Sequence, residues 1–174
     1  MNAEQQRQPV GHGQGGQRMD ATELEQFLTF MLDGEEYGVD ILRVQEIRGW
    51  DTASPIPNTP DYIKGVINLR GTIVPIIDLR RRFDLEEIEY SRTTVVIVLK
   101  VEIGSSERTM GIVVDGVSDV YSLEGGQVNP PPDFGSAIDI EFVKGLATVD
   151  EKMLILLDID NLLNLDPVPA VAAS

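Results

Sequence analysis

The sequence predicts a mainly β protein of two small barrels that share an apolar seam, and three observations predict it. Short Val- and Ile-rich runs recur along most of the chain, punctuated by Gly, Pro, Asp and Asn. The chain repeats itself: "KGVINLRGTIVPIIDLRRRF", Lys64 to Phe83, has the outline of "KGLATVDEKMLILLDIDNLL", Lys144 to Leu163. Each half of the chain holds about five short strands, too few to bury a core alone, so apolar side chains between the two should form a third packing layer. The halves should therefore unfold together.

Residues 1–25 are Gln-, Gly- and Glu-rich and read as a disordered tail, with a helical turn expected at "DATELEQ". Gly11-His12-Gly13-Gln14-Gly15-Gly16 spells a dinucleotide-binding fingerprint, but no strand precedes it and no helix opens after it, so it carries no nucleotide site. The strands follow in order: "QFLTFML", "EEYGVDI" and "VQEIRGW", then "KGVINL" and "TIVPIIDL" beyond a proline-rich loop, "SPIPNTPDY". The second half supplies "TTVVIVLKVEI", "RTMGIVVDGV", "SDVYSL", "KGLATV" and "KMLILLDI". Short helices fit only at "DLRRRF", "AIDIEFV" and "DIDNLLN", and residues 166–174 read as a second disordered tail. A second alignment supports the repeat: "YGVDILRVQEI" matches "MGIVVDGVSDV", so the order within the halves is the same.

In "VINLRGTIV", Gly71 sits where a tight hairpin needs positive φ, and Arg70 projects beside it. The repeat has Asp150-Glu151 at that place, so only the first half carries a guanidinium at this tip. From the residues alone, Arg70 reads as a solvated turn arginine. Pro75 cannot donate to a ladder, which puts its strand at an edge or a bulge. Arg80-Arg81-Arg82, followed by "DLEEIE", reads as a balanced solvated face, and Trp50 as a core or seam residue.

Composition narrows the function. The sequence has no cysteine, and its one histidine, His12, lies in the Gly/Gln-rich tail, so thiolate chemistry, imidazole triads and Cys/His metal sites are not expected. No cofactor or metal is expected. The formal net charge of -15 disfavours phosphate backbones, which makes nucleic acid an unfavourable partner. No apolar run reaches the ~20 residues of a membrane-spanning helix. The first residues carry no secretory pattern, so a cytoplasmic location and no membrane insertion are expected. No catalytic motif stands out among the scattered carboxylates. Two rivals fare worse: an oligonucleotide-binding barrel would need a basic face with aromatics, and only 6% of residues are aromatic. A carboxylate-pair hydrolase would need a deep polar pocket.

The segments "EEYGVDILRVQEIRGW", "PNTPDYIKGVINLRGTIVPIIDLRRRF", "TTVVIVL", "GIVVDGVSDV" and "KGLATVDEKMLILLDIDNLL" together resemble the CheW family of bacterial chemotaxis coupling proteins, from about Gln26 to Asn164. The resemblance implies two SH3-like five-stranded β-barrel subdomains packed around a hydrophobic seam, with a few short helices and no catalytic activity. Residues 26–92 would form the first and 93–165, with a short C-terminal helix, the second, an approximate division that strand exchange would blur. It further implies two partners: the cytoplasmic hairpin tips of chemoreceptors and the regulatory domain of the histidine kinase CheA, which would place the protein at membrane-associated receptor arrays. Carried over residue by residue, receptor coupling falls on Val44, Glu46, Arg70, Val95 and Gly65, with Gly65 explicable by backbone demands alone. Ile73 and Val96 are the candidates for the kinase surface, barrel end against barrel end.

Overall fold

The computed structural model describes residues 24–131 and 140–165. Ten strands occupy them, each at a place the sequence pattern marks. The first half holds β1 (Leu24–Leu32), β2 (Glu35–Asp40), β3 (Val44–Gly49), β4 (Ile63–Leu69) and β5 (Thr72–Asp78). The second holds β6 (Val95–Ile103), β7 (Ser106–Val114), β8 (Gly116–Glu124), β9 (Val143–Val149) and β10 (Lys152–Leu157). A one-turn helix follows the last strand of each half, α1 (Leu79–Arg82) and α2 (Ile159–Leu162). Asp78 and Asp158 cap them, accepting from the backbone N–H groups of Arg80 and Asn161. In "AIDIEFV" the described part is a single 3-10 turn, Ile140–Phe142. The tail boundary moves back slightly, because Leu24 and Glu25 already belong to β1; the rest of both tails, and the glycine fingerprint, lies outside the described residues.

The strands form two five-stranded sheets, ordered β8-β1-β2-β10-β9 and β3-β6-β7-β5-β4. Beyond β3 the chain turns back so that Ser54 pairs with Val66 on β4, and beyond β8 Asn129 pairs with Leu146 on β9. These bridges tie the segment that follows one outer strand of each sheet to the other outer strand, and so curl the sheet into a small barrel.

The sheets correct the contiguous division at residues 92/93. Each barrel takes the opening hairpin of one half and the last three strands of the other: β1 and β2 lie with β8 to β10, β6 and β7 with β3 to β5. The cause is local. Only the three-residue 3-10 turn Ile41–Arg43 separates β2 from β3, and only Asp115 separates β7 from β8, so the chain steps straight into the neighbouring barrel instead of folding back. Short parallel ladders then join what the crossover separates, β2 to β10 and β5 to β7. We call the barrel containing β3 to β7 barrel B, and the other barrel A.

Three apolar clusters result. Leu69, Val74, Ile76, Val96, Val98 and Val113 fill barrel B, and Phe27, Leu123, Ala147, Leu154 and Leu156 fill barrel A. The largest cluster lies between them and draws on both sheets and both helices, with Leu28, Phe30, Tyr37, Ile97, Leu99, Ile112, Ile155, Leu79 and Leu162 among its members. Tyr37 is flanked by Phe30 and Phe83, each with ring centroids 5.8 Å away. Its hydroxyl is pushed up to about 12 by burial, then by the charges of Glu35 and Asp33.

Two further readings change. Pro75 is not on an edge strand, since β5 lies between β7 and β4. The ladder to β7 starts only at Ile76, and both backbone groups of Val66, opposite Pro75, bond to Ser54. The proline nitrogen therefore faces away from β4, where no bond is lost. The arginine run is not uniformly solvated either. Arg80 is 7% exposed, and Arg82 lies against the rings of Tyr62 and Phe142 at 5.0 and 4.9 Å.

Candidate functional site

The turn that singles out Arg70 is a two-residue hairpin loop. Leu69 pairs with Thr72, and the residues between them, Arg70 and Gly71, have φ of 51° and 88°. Both central residues are thus left-handed, as the turn that matches strand twist requires. Asn68 Oδ1 accepts the Gly71 N–H at 2.9 Å. The repeat makes the same turn with Asp150 and Glu151, at φ of 52° and 65°. Geometry is kept while charge is reversed.

Arg70 stands clear of the fold with its side chain 75% exposed, yet its guanidinium donates to Glu46 Oε1 at 2.6 Å. The second oxygen of Glu46 lies 3.8 Å from Arg48. An exposed pair of this kind adds only about 0–1 kcal/mol to stability. What it fixes is the placement of three charged groups at one rim of barrel B.

Glu46 and Arg48 belong to β3, an edge strand paired only with β6. Side chains of β6 alternate: Val96 and Val98 enter barrel B, while Ile97, Leu99 and Val101 enter the seam. The register divides β3 accordingly. Val44, Ile47 and Gly49 oppose Leu99, Ile97 and Val95 on the seam face, while Glu46 and Arg48 oppose Val98 and Val96 on the barrel face. A bulge at Gln45, between Val44 and Glu46, sets this phase.

The structure thus brings Glu46 and Arg70 into contact and puts Val44 and Val95 on the opposite face of the same edge, at the two ends of the β3–β6 ladder. Both valines are half-buried and pack against the seam cluster. Between them lies Ile47, 43% exposed, and just ahead of β3 lies Leu42, 85% exposed. The sequence reading missed both; for Ile47 the available signal was an apolar strand residue between two charged neighbours, Glu46 and Arg48. Together the valines and Ile47 form an aliphatic strip along one strand edge, on the face opposite the charged rim.

Gly65 is buried and contributes through the backbone. Its φ is 139°, and a Cβ there would collide with the carbonyl oxygen of Ser54, the residue that closes barrel B through Val66. Of the two residues assigned to the kinase surface, Ile73 is 39% exposed and lies on β5 just past the Arg70 turn. Val96 is corrected: at 3% exposure it fills barrel B, and only its edge reaches a cavity of about 250 Å³ lined also by Arg48, Trp50, Ser54 and Ile67. Trp50 is partly buried against the barrel B cluster, edge-on to Tyr90 with centroids 4.8 Å apart.

Among the described residues no group of His, Cys, Asp and Glu side chains could hold a metal ion, and no helix is long and apolar enough to cross a membrane.

Comparison with known proteins finds relatives of the whole fold. Residues 26–166 match the CheW-like domain family. The chain is 52% identical over 147 residues to the chemotaxis protein CheW of Klebsiella aerogenes, covering 84% of this chain and 86% of that one. It is 35% identical over 136 residues to the Rhizobium meliloti CheW, covering 78% and 85%. Among solved structures, the scaffolding protein TtCheW from Thermoanaerobacter tengcongensis superposes with a TM-score of 0.74 at 34% identity, covering 86% of this chain and 94% of that one.

Proposed function

The chain belongs to the CheW-like family of chemotaxis scaffold proteins, and from that membership we propose that it is a non-catalytic adaptor coupling the cytoplasmic tips of chemoreceptors to the histidine kinase CheA. The observation that carries this reading is the edge of β3, which carries the aliphatic strip Val44, Ile47 and Val95 on one face and the Glu46–Arg70 pair on the other. A receptor tip is a helical hairpin. Its apolar ridge lies along the strip, where burial supplies the affinity, and Glu46 and Arg70 fix its register at the rim. Gly65 supports this face by allowing barrel B to close.

Kinase contact lies at the end of barrel B around Ile73, where an exposed aliphatic side chain meets the regulatory domain, itself of similar fold. The protein works in the cytoplasm at receptor arrays, without nucleic acid, cofactor or insertion into the bilayer. Titrating a receptor-tip hairpin fragment and a CheA regulatory domain tests the reading. Binding of both, with a ternary complex recovered by size exclusion, is expected. A folded protein that ignores both partners, or unchanged hairpin affinity in Arg70→His and Val44→Met, overturns it.

A further inference from the structure

The two crossovers between barrels are each fastened by a two-pronged Arg–Asp pair, and the charges are exchanged between them. At the β7–β8 crossover, Asp115 accepts from Nε and Nη2 of Arg80 on α1 at 3.0 and 2.8 Å. At the β2–β3 crossover, Arg43 donates through Nη1 and Nη2 to Asp160 on α2 at 2.8 and 2.7 Å. Arg80 and Asp160 occupy equivalent places in the repeat, the second residue of each one-turn helix. Both crossovers thus carry a clasp, with the charges on helix and crossover interchanged.

The settings of the two clasps differ. Arg80 is also held by the Glu86 carbonyl at 2.7 Å and lies 3.5 Å from Asp33, with its own side chain only 9% exposed. Arg43 and Asp160 are about a quarter exposed, and their remaining bonds go to β6: Arg43 to the Lys100 carbonyl at 3.0 Å, Asp160 from the Glu102 N–H at 2.8 Å. Those two residues flank Val101, two positions beyond Leu99, the partner of Val44. Arg43 itself immediately precedes Val44.

β3 needs such a fastening. It is an edge strand with one neighbour, its ladder is interrupted by the Gln45 bulge next to Val44, and Leu42 ahead of it makes little contact. We infer that Arg43, held by Asp160, is a positioning residue for partner docking: the clasp fixes the direction in which β3 leaves the crossover, and so the spacing of Val44 and Ile47 from Glu46. This rests on the reading of β3 as the receptor-docking edge. Bidentate geometry matters here because two parallel bonds fix orientation as well as distance.

The β7–β8 clasp supplies the control, since breaking it loosens the barrels without touching β3. The experiment uses the full chain with Arg43→Gln, Arg43→Lys and Asp115→Asn, and reads three quantities: affinity for a receptor-tip hairpin fragment, thermal midpoint, and amide hydrogen exchange along β3. Arg43→Gln is expected to weaken the hairpin complex at least about fivefold and to speed exchange at Val44–Gly49 while leaving β1 and β2 protected. Arg43→Lys, which keeps the charge but not the fork, should fall between it and the parent. Asp115→Asn should lower the thermal midpoint at least as much while keeping hairpin affinity. Unchanged affinity in Arg43→Gln, or equal losses in Arg43→Gln and Asp115→Asn, overturns the inference. A parent chain that does not bind the hairpin overturns the adaptor reading instead, and exchange along β3 then decides the clasp alone, unchanged exchange in Arg43→Gln refuting it.

Discussion

The Arg70 guanidinium reaches across the mouth of barrel B to the Glu46 carboxylate, 2.6 Å away, joining the tip of one hairpin to an edge strand 24 residues earlier. So little of Arg70 is buried that the contact contributes little to folding. Arg70→Ala should shift unfolding free energy by no more than about 1 kcal/mol while weakening receptor-hairpin binding. Urea titration and calorimetric binding on the same sample separate the two, and a large stability loss would contradict the placement.

Gly65 makes the opposite prediction. Gly65→Ala puts a side chain at φ 139° and into the Ser54 carbonyl, so it should cost about 3 kcal/mol or more and reduce binding only through the unfolded fraction. Its repeat equivalent, Gly145, has ordinary φ, with Val128 Cγ1 and Asn129 O at 2.7 and 2.9 Å from an added Cβ. Gly145→Ala should cost less, about 1–3 kcal/mol. Thermal melts rank the pair, and the reverse order would refute the backbone account.

The shared seam predicts one unfolding transition. Leu99 is fully buried in the cluster built from both barrels, so Leu99→Ala should destabilise by about 2–5 kcal/mol and destabilise both barrels together. Trp50 fluorescence reports barrel B, and far-ultraviolet dichroism the whole; their midpoints should coincide in parent and variant. Separate transitions would mean that the barrels fold independently.

Acid should loosen the two clasps. Hydrogen bonds from Arg43 lower the Asp160 carboxyl below its ordinary 3.8 despite partial burial. For Asp115 burial acts to raise the value, but the Arg80 hydrogen bonds, the Asp33 N–H and the Arg80 charge outweigh it and leave it lowered from 3.8. With folded values below unfolded ones, the unfolded chain binds more protons in acid. The stabilisation is complete well above the ordinary value and is lost as pH falls through about 4 and below. Urea midpoints at pH 7 and pH 3 should differ less for Asp160→Asn and Asp115→Asn than for the parent.

Ile73→Glu should abolish binding of the CheA regulatory domain while leaving melting temperature and hairpin affinity near parental values, because the side chain is 39% exposed. Undiminished kinase-domain binding in a pull-down would place that surface elsewhere.

Much of this was legible in the chain. The strands sit on the Val- and Ile-rich runs between turn residues, although "RTMGIVVDGV" runs across the break at Asp115, and the two-residue turns at Arg70-Gly71 and Asp150-Glu151 follow from spacing in the repeat. Val96 shows where legibility fails. The run "VVIVLKV" is apolar on both faces because β6 lies between a barrel interior and the seam, so no alternation distinguishes Val95, which packs against the seam, from Val96, which fills barrel B. Arg80 fails for another reason: its carboxylate partner is 35 residues away, and nothing local signals that the guanidinium is buried.

The sequence by itself determined the elements, their duplication and the reversed charge at one turn, since these depend on side-chain period and backbone preference within a few residues. Only the tertiary structure decided that the halves exchange hairpins, that Gln45 bulges, and that Glu46 meets Arg70 while Val44 and Val95 face the other way. Those choices rest on which apolar faces meet across the seam, and burial between distant segments leaves no mark on the local pattern of either.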